Sequence, residues 1–346
     1  MRRMTPQFRY EALDGMRGIA AIGVLIFHLS ILGIRVGDHG YLAVDFFFIL
    51  SGFVLSHAYT DRLTTIQFGS FLRQRIIRII PLSILGLLIG SSYFLLRYLT
   101  QHSSLYSLED ILLATVLNAA LIPKPWTTSA PTDTIFPSNT PLWSLSLEMF
   151  VNILWFGLLY KARTITLVFI VVLSALFLII FTAYENTADL GATWPTYCGG
   201  IARVMFGFFM GALLWRHRPK PVKGKIYTLV PIITLIATLM SPNWGVLFDL
   251  LAIMLLFPMI VLMASSSNFS PKISCLRFAG DISYPLYVIH VPILMYAVGI
   301  AKTIGIESSS IVALAVVIAC IFASFILNRL YDRPLRRYLR QLIMSQ

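Results

Sequence analysis

The sequence predicts an all-α integral membrane protein, a bundle of about ten transmembrane helices with one short re-entrant or interfacial helix. Three observations carry this. Of the 346 residues, 58% are apolar and only 12% charged, roughly half the charge with which a soluble domain covers its surface. Mean hydropathy is +0.80, and apolar runs long enough to cross ~30 Å of hydrocarbon recur along the chain. Backbone groups in lipid must be satisfied within the structure, so these runs are helices; the alternating pattern of a membrane β-barrel is absent.

Eleven apolar segments follow one another at 17–33, 41–60, 79–99, 110–122, 142–160, 164–182, 197–215, 226–240, 246–264, 284–301 and 309–331. They form one domain, 1–346, with 1–16 and 332–346 as cytoplasmic tails. No small-residue cleavage site follows the first segment, so it reads as a retained span. The net charge of +12 implies no nucleic-acid partner, because the basic residues sit in a few short stretches, the pattern that orients a multispanning protein. These are Arg2, Arg3 and Arg9; Arg62, Arg73, Arg75 and Arg78 in a 61–78 loop; RHRPKPVKGK at 216–225; and Arg333, Arg336, Arg337 and Arg340. All four are expected on the cytoplasmic side. The stretches 101–110 and 183–196 carry Glu109, Asp110, Glu185 and Asp189 without Lys or Arg and are expected outside.

Eleven crossings would put the two basic termini on opposite faces. Segment 110–122 is the shortest and as a helix reaches only ~20 Å. If it does not cross, every loop falls on the side its charge prefers. The stretch 123–141, with five prolines, is then an outer cap or a mobile lid. Cys198, Cys275 and Cys320 have no spacing for zinc or a disulfide framework, and no metal is expected.

Charges inside apolar runs are costly and mark candidate functional positions. Arg17 and His28 are about three turns apart, on roughly one face of the first span. His28 either bonds a neighbouring helix or, as a neutral imidazole, takes a proton from a hydroxyl. Asp45 opens the second span, whose middle holds Ser51 and Gly52. Gly52 lets a backbone or a ligand approach closely, and the triplet Phe46, Phe47 and Phe48 reads as packing. Arg73, Arg75 and Arg78 either anchor the loop or clamp phosphate with their planar forks. Glu148 enters its span from the outer side, at the depth expected for His28 and Asp45, and a carboxylate there orients an imidazole. His290 lies inside another span, as a core histidine or a further site residue. Trp126, Trp194 and Tyr197 are membrane anchors or sugar platforms.

Five of these segments, LDGMRGIAAIGVLIFH, DFFFILSGF, RIIRIIP, PLWSLSLEMF and ISYPLYVIH, together resemble the membrane acyltransferase 3 family, in family order from Tyr10 to about Arg337. The resemblance implies an O-acyltransferase of the bacterial inner membrane, with acetyl-CoA as the usual acyl-CoA donor. The acceptor it implies is a hydroxyl on a glycan or glycolipid such as lipopolysaccharide O-antigen or exopolysaccharide. It links Arg17 and His28 to activity and matches Arg75, Arg78 and Glu148. Where many relatives carry Glu-x-Pro, this chain has Asp332-Arg333-Pro334. It reads as the stand-alone form, without a soluble SGNH-type domain. Arg17, Arg75 and Arg78 are then expected to hold the donor phosphates, His28 to act as base, and Glu148 and Asp45 to orient the imidazole or sugar. Direct transfer is expected, with an acyl-enzyme on Ser51 or His28 as the variant. Buried His and Glu residues also suit a secondary transporter or exporter of a polar metabolite, but no duplicated half is visible. A purely structural membrane subunit would gain nothing from such charges.

Overall fold

A computed structural model describes residues 10–59, 66–101, 107–125, 133–220, 222, 224–267, 274–305 and 309–344. Among the described residues 81% are helical and none belongs to a strand, as the apolar runs require. Among the described residues eight helical stretches are long and apolar enough to cross a membrane, and Leu142–Leu158 and Ile226–Met240 are shorter apolar helices. The protein is thus a multi-pass membrane protein, with eight helices of spanning length among the described residues; the expected total of about ten is reached only by adding these two.

Each helix follows from its apolar run. Helix α1 (Glu11–Phe27) tightens into a 3₁₀ turn at His28–Leu32, closed by Gly33 in the left-handed region. Next come α2 (Ala43–Tyr59), α3 (Phe68–Gln101) and α4 (Leu108–Ala119). Helix α4 starts at a Ser107/Asp110 capping box; its 12 residues give ~18 Å of length. Then follow α5 (Leu142–Leu154), α6 (Thr164–Glu185), α7 (Tyr197–Arg216) and α8 (Ile226–Met240). The span Val246–Ser265 is α9 (Val246–Leu251) and α10 (Phe257–Ser265) joined by a π turn. Helices α11 (Ser274–Thr303), α12 (Ser310–Leu327) and α13 (Arg333–Met344) complete the chain.

Two expected boundaries move. Arg73, Arg75 and Arg78 are not in a loop: α3 begins at Phe68, because RQRIIRIIP continues the helical register and buried Phe71 stacks on Phe156 at 4.3 Å. Residues 332–346 are not a plain tail either. Arg and Leu recur there at helical spacing, and α13 follows α12 through a π turn at Asn328–Asp332. Pro334 has no N–H to give the carbonyl four residues back, which suits the widening just before it.

Small residues set the bundle. Helix α2 packs along α7, and α1 runs parallel to α11. A Cβ on Gly52 would lie 1.9 Å from the Phe208 carbonyl oxygen, and one on Gly18 would lie 2.2 Å from the Ala279 carbonyl carbon. The close approach permitted by Gly52 is therefore that of a helix backbone. The described part of 123–141 is a structured cap: Lys124 N–H donates to Ile135 O, Ile135 N–H to Ala192 O, and Trp194 Nε1 to Lys124 O. That bond fixes Trp194 as part of the cap. Trp126, Arg62 and the basic N-terminal residues lie outside the described residues.

Candidate active site

Helices α1, α2, α3, α5, α11 and the α12–α13 junction enclose a cavity of about 240 Å³. Its order along the bundle follows from helix pairing. Arg17 of α1 donates from Nε to Ser283 Oγ (2.9 Å) and from Nη2 to Gly280 O (3.2 Å) of α11. One end, the mouth, is formed where α11 begins and α12 meets α13, and holds Arg78, Asp281, Asp332 and Arg336. The other end is closed by Phe47, Ser144 and Tyr287. Five arginines against three carboxylates line the whole, so the cavity favours an anion.

Midway, three sequence candidates meet. Arg75 Nη2 donates to Glu148 Oε1 at 3.0 Å, and Ser51 Oγ donates to the same oxygen at 2.8 Å. Arg75 is only 3% exposed and its Nε has no hydrogen-bond partner. An unpaired buried donor costs ~1–3 kcal/mol, so this nitrogen remains open to an acceptor entering the cavity.

Beyond Tyr287 lies the histidine pair. His28 Nδ1 is 2.9 Å from Val24 O and 3.3 Å from His290 Nε2, and His290 Nδ1 is 3.0 Å from Leu286 O. A carbonyl can only accept, so in the neutral pair both Nδ1 atoms carry the proton. His290 Nε2 then accepts from His28, and His28 Nε2 keeps its lone pair. His28 is half-buried, at the point where α1 tightens, whereas His290 is fully buried. Tyr287 joins the two regions. Its hydroxyl is 2.6 Å from Ser144 Oγ, and its ring stands 5.6 Å from Phe47 and 6.0 Å from His290. One aromatic layer thus separates the cavity from the histidines.

The expected convergence of Glu148 and Asp45 on His28 is not what the fold holds. Glu148 lies lower, where α3 carries Arg75 to it. Asp45 is fully buried against Arg203 of α7, which donates from Nη2 to Oδ2 (2.6 Å) and from Nε to Oδ1 (3.0 Å). Arg203 also bonds Leu190 O and Tyr41 O. Next to it, Tyr41 donates to Asp249, which pairs with His39 at 2.9 Å. Arg203 and Asp249 were not among the sequence candidates, although each is a charge inside an apolar run, the signal that picks out Asp45. Among the described residues no three His, Cys, Asp or Glu side chains gather to hold a metal.

Comparison with known proteins decides the class of chemistry. The family described as an acyltransferase domain, acyltransferase 3, matches residues 10–329. The chain belongs to this family. It is an O-acyltransferase embedded in a membrane, which sets it with acyl-transferring enzymes and apart from the transporters its buried charges also suggested. This acyltransferase is 35% identical over 188 residues to "Protein 2 in picA locus" of Rhizobium radiobacter, covering 52% of this chain and 97% of that protein. It is 32% identical over 96 residues to proteins of Staphylococcus aureus strains COL and MSSA476 that each bear the name "Putative O-acetyltransferase". Those matches cover 26% of this chain and 15% of their length. No solved structure matches the chain.

Proposed function

We propose that this acyltransferase moves an acetyl group from cytoplasmic acetyl-CoA to a hydroxyl of a cell-surface glycan or glycolipid, across a bacterial inner membrane with both chain ends inside. The observation that carries this is one arginine-lined cavity ending an aromatic layer below a tautomer-fixed histidine pair. Coenzyme A bears phosphates too charged to enter hydrocarbon, so its anionic end belongs at the mouth. Arg78 at the mouth and Arg75 one turn farther in hold phosphate oxygens. Arg17 braces α1 against α11 and adds its positive charge to the cavity wall. The thioester supplies an activated acyl carbonyl.

The residues divide the remaining work. His28 Nε2 takes the proton of the acceptor hydroxyl as its oxygen forms the new ester bond. The acyl–sulfur bond breaks, and that proton returns to the sulfur, leaving the free thiol. His290 accepts from His28 Nδ1 throughout, so the imidazolium formed in passing stays hydrogen-bonded on that side. Help of this kind from a general base is worth ~10²–10⁴ in rate. Ser51 and Glu148 flank the donor path, with Glu148 holding Arg75 in place. Asp45 acts at a distance, by bracing α2 against α7.

The test uses a strain lacking the protein, complemented with wild type or with His28→Ala, and mass spectrometry of its surface glycans. Acetyl groups lost in the deletion and restored only by wild type are expected. Equal restoration by His28→Ala, with both proteins present in the membrane, would remove His28 from the chemistry.

A further inference from the structure

We infer that Arg336 of α13 belongs to the donor site and holds a coenzyme phosphate beside Arg75 and Arg78; this rests on the acyl-CoA reading above. The π turn at Asn328–Asp332 places both its own Asp332 and the following α13 at the cavity mouth, where Asn328, Asp332 and Arg336 all form the wall. Arg336 is fixed from two sides. Its Nε is 2.8 Å from Asp332 Oδ1, and its guanidinium lies over the Tyr284 ring, 5.2 Å from the centroid. Its Nη2 remains, buried and without a hydrogen-bond partner, as does Nε of Arg75. Arg78 is within electrostatic reach of both arginines.

Three guanidinium groups therefore converge from α3 and α13 on one cavity. The carboxylates among them are committed singly, Glu148 to Arg75 and Asp332 to Arg336. One positive charge is left over, together with the unmet donors of Arg75 and Arg336. Like charges gathered this closely repel, and a multiply charged oxyanion relieves the repulsion and fills the donors at once. Residues that serve only to fasten α13 would be saturated by their protein partners, as Arg203 is on the far side of α2.

The measurement is calorimetric titration of the full chain in lipid nanodiscs with coenzyme A, 3′-dephospho-coenzyme A and phosphate-free pantetheine. Arg336→Gln is expected to weaken coenzyme A binding by roughly 10- to 100-fold, the size of a charge-assisted hydrogen bond, and to leave pantetheine unchanged. Loss confined to coenzyme A assigns the 3′-phosphate. Loss shared with the dephospho form assigns the pyrophosphate, and both support the inference. Equal loss for all three ligands, or no loss, overturns it. If Arg336→Gln does not fold, Arg336→Lys decides, because it keeps the charge but loses the fork: weakened coenzyme A with unchanged pantetheine supports the inference, and unchanged coenzyme A overturns it. Wild-type protein with no affinity for coenzyme A would sink the donor reading itself, a different failure from wild-type binding that Arg336→Gln leaves untouched.

Discussion

Changing Asp45 to Asn separates two roles that the sequence alone does not tell apart. The guanidinium of Arg203 is fully buried and bonded to both oxygens of Asp45. Asn keeps the shape but leaves the buried Arg203 charge with only the half-exposed Asp189, 4.0 Å away, to offset it. Breaking a buried ion pair from one side costs ~3–5 kcal/mol. The double change Asp45→Leu with Arg203→Met removes the stranded charge. It still forfeits the bonds from Arg203 to Leu190 O and Tyr41 O, about 1 kcal/mol each. The double variant is therefore expected to be more stable than Asp45→Asn, by roughly 1–3 kcal/mol on these figures. Thermal unfolding in detergent, followed by intrinsic fluorescence, reads stability. Thiol release from acetyl-CoA per folded molecule reads activity. The expected pattern is a marked loss of stability in Asp45→Asn with activity kept in the folded fraction. An Asp45→Asn protein that unfolds like wild type yet transfers nothing would refute the bracing argument and return Asp45 to the chemistry.

Other outcomes follow from the same geometry. His290→Leu takes away the acceptor of His28 Nδ1–H and is expected to slow turnover about fivefold, one hydrogen bond's worth, with donor KM unchanged. His290→Gln, which can still accept, should recover most of that, and steady-state kinetics on both variants checks it. Gly52→Val drives a side chain into the Phe208 carbonyl, 1.9 Å from the new Cβ; it should abolish recovery of monodisperse protein on size exclusion, whereas Gly69→Ala, which meets only the far end of Arg73 at 3.9 Å, should not. A reporter fused after Pro137 is expected to read as non-cytoplasmic, and a cytoplasmic reading would break the proposed topology.

How much of the site was legible depends on how each residue signals. Arg17, His28, Arg75, Arg78, Glu148 and His290 stand out because a charge or imidazole in an apolar run is rare. Their ranking by depth was less successful. Glu148 lies near the entry of its span, like Asp45, yet α3 extends far enough back to bring Arg75 to it. Counting residues from a helix end gives depth along one axis and says nothing about which neighbour faces that residue. In the sequence Arg336 reads as one of the charges that orient the tail, since a basic amphipathic run looks the same whether it faces lipid headgroups or a cavity.

The sequence by itself determined that the chain lives in a bilayer, is helical and carries acyltransferase segments in order. Those properties are local: apolar length and backbone hydrogen bonding act within each segment, and the motifs are contiguous. Only the tertiary structure decided that His28 pairs with His290, that Glu148 serves Arg75, and that Asp45 is neutralised by Arg203. Each of these is a contact between helices distant in sequence. It is set by how closely small residues such as Gly18 and Gly52 let the backbones approach, and that registration is fixed only when the whole bundle packs.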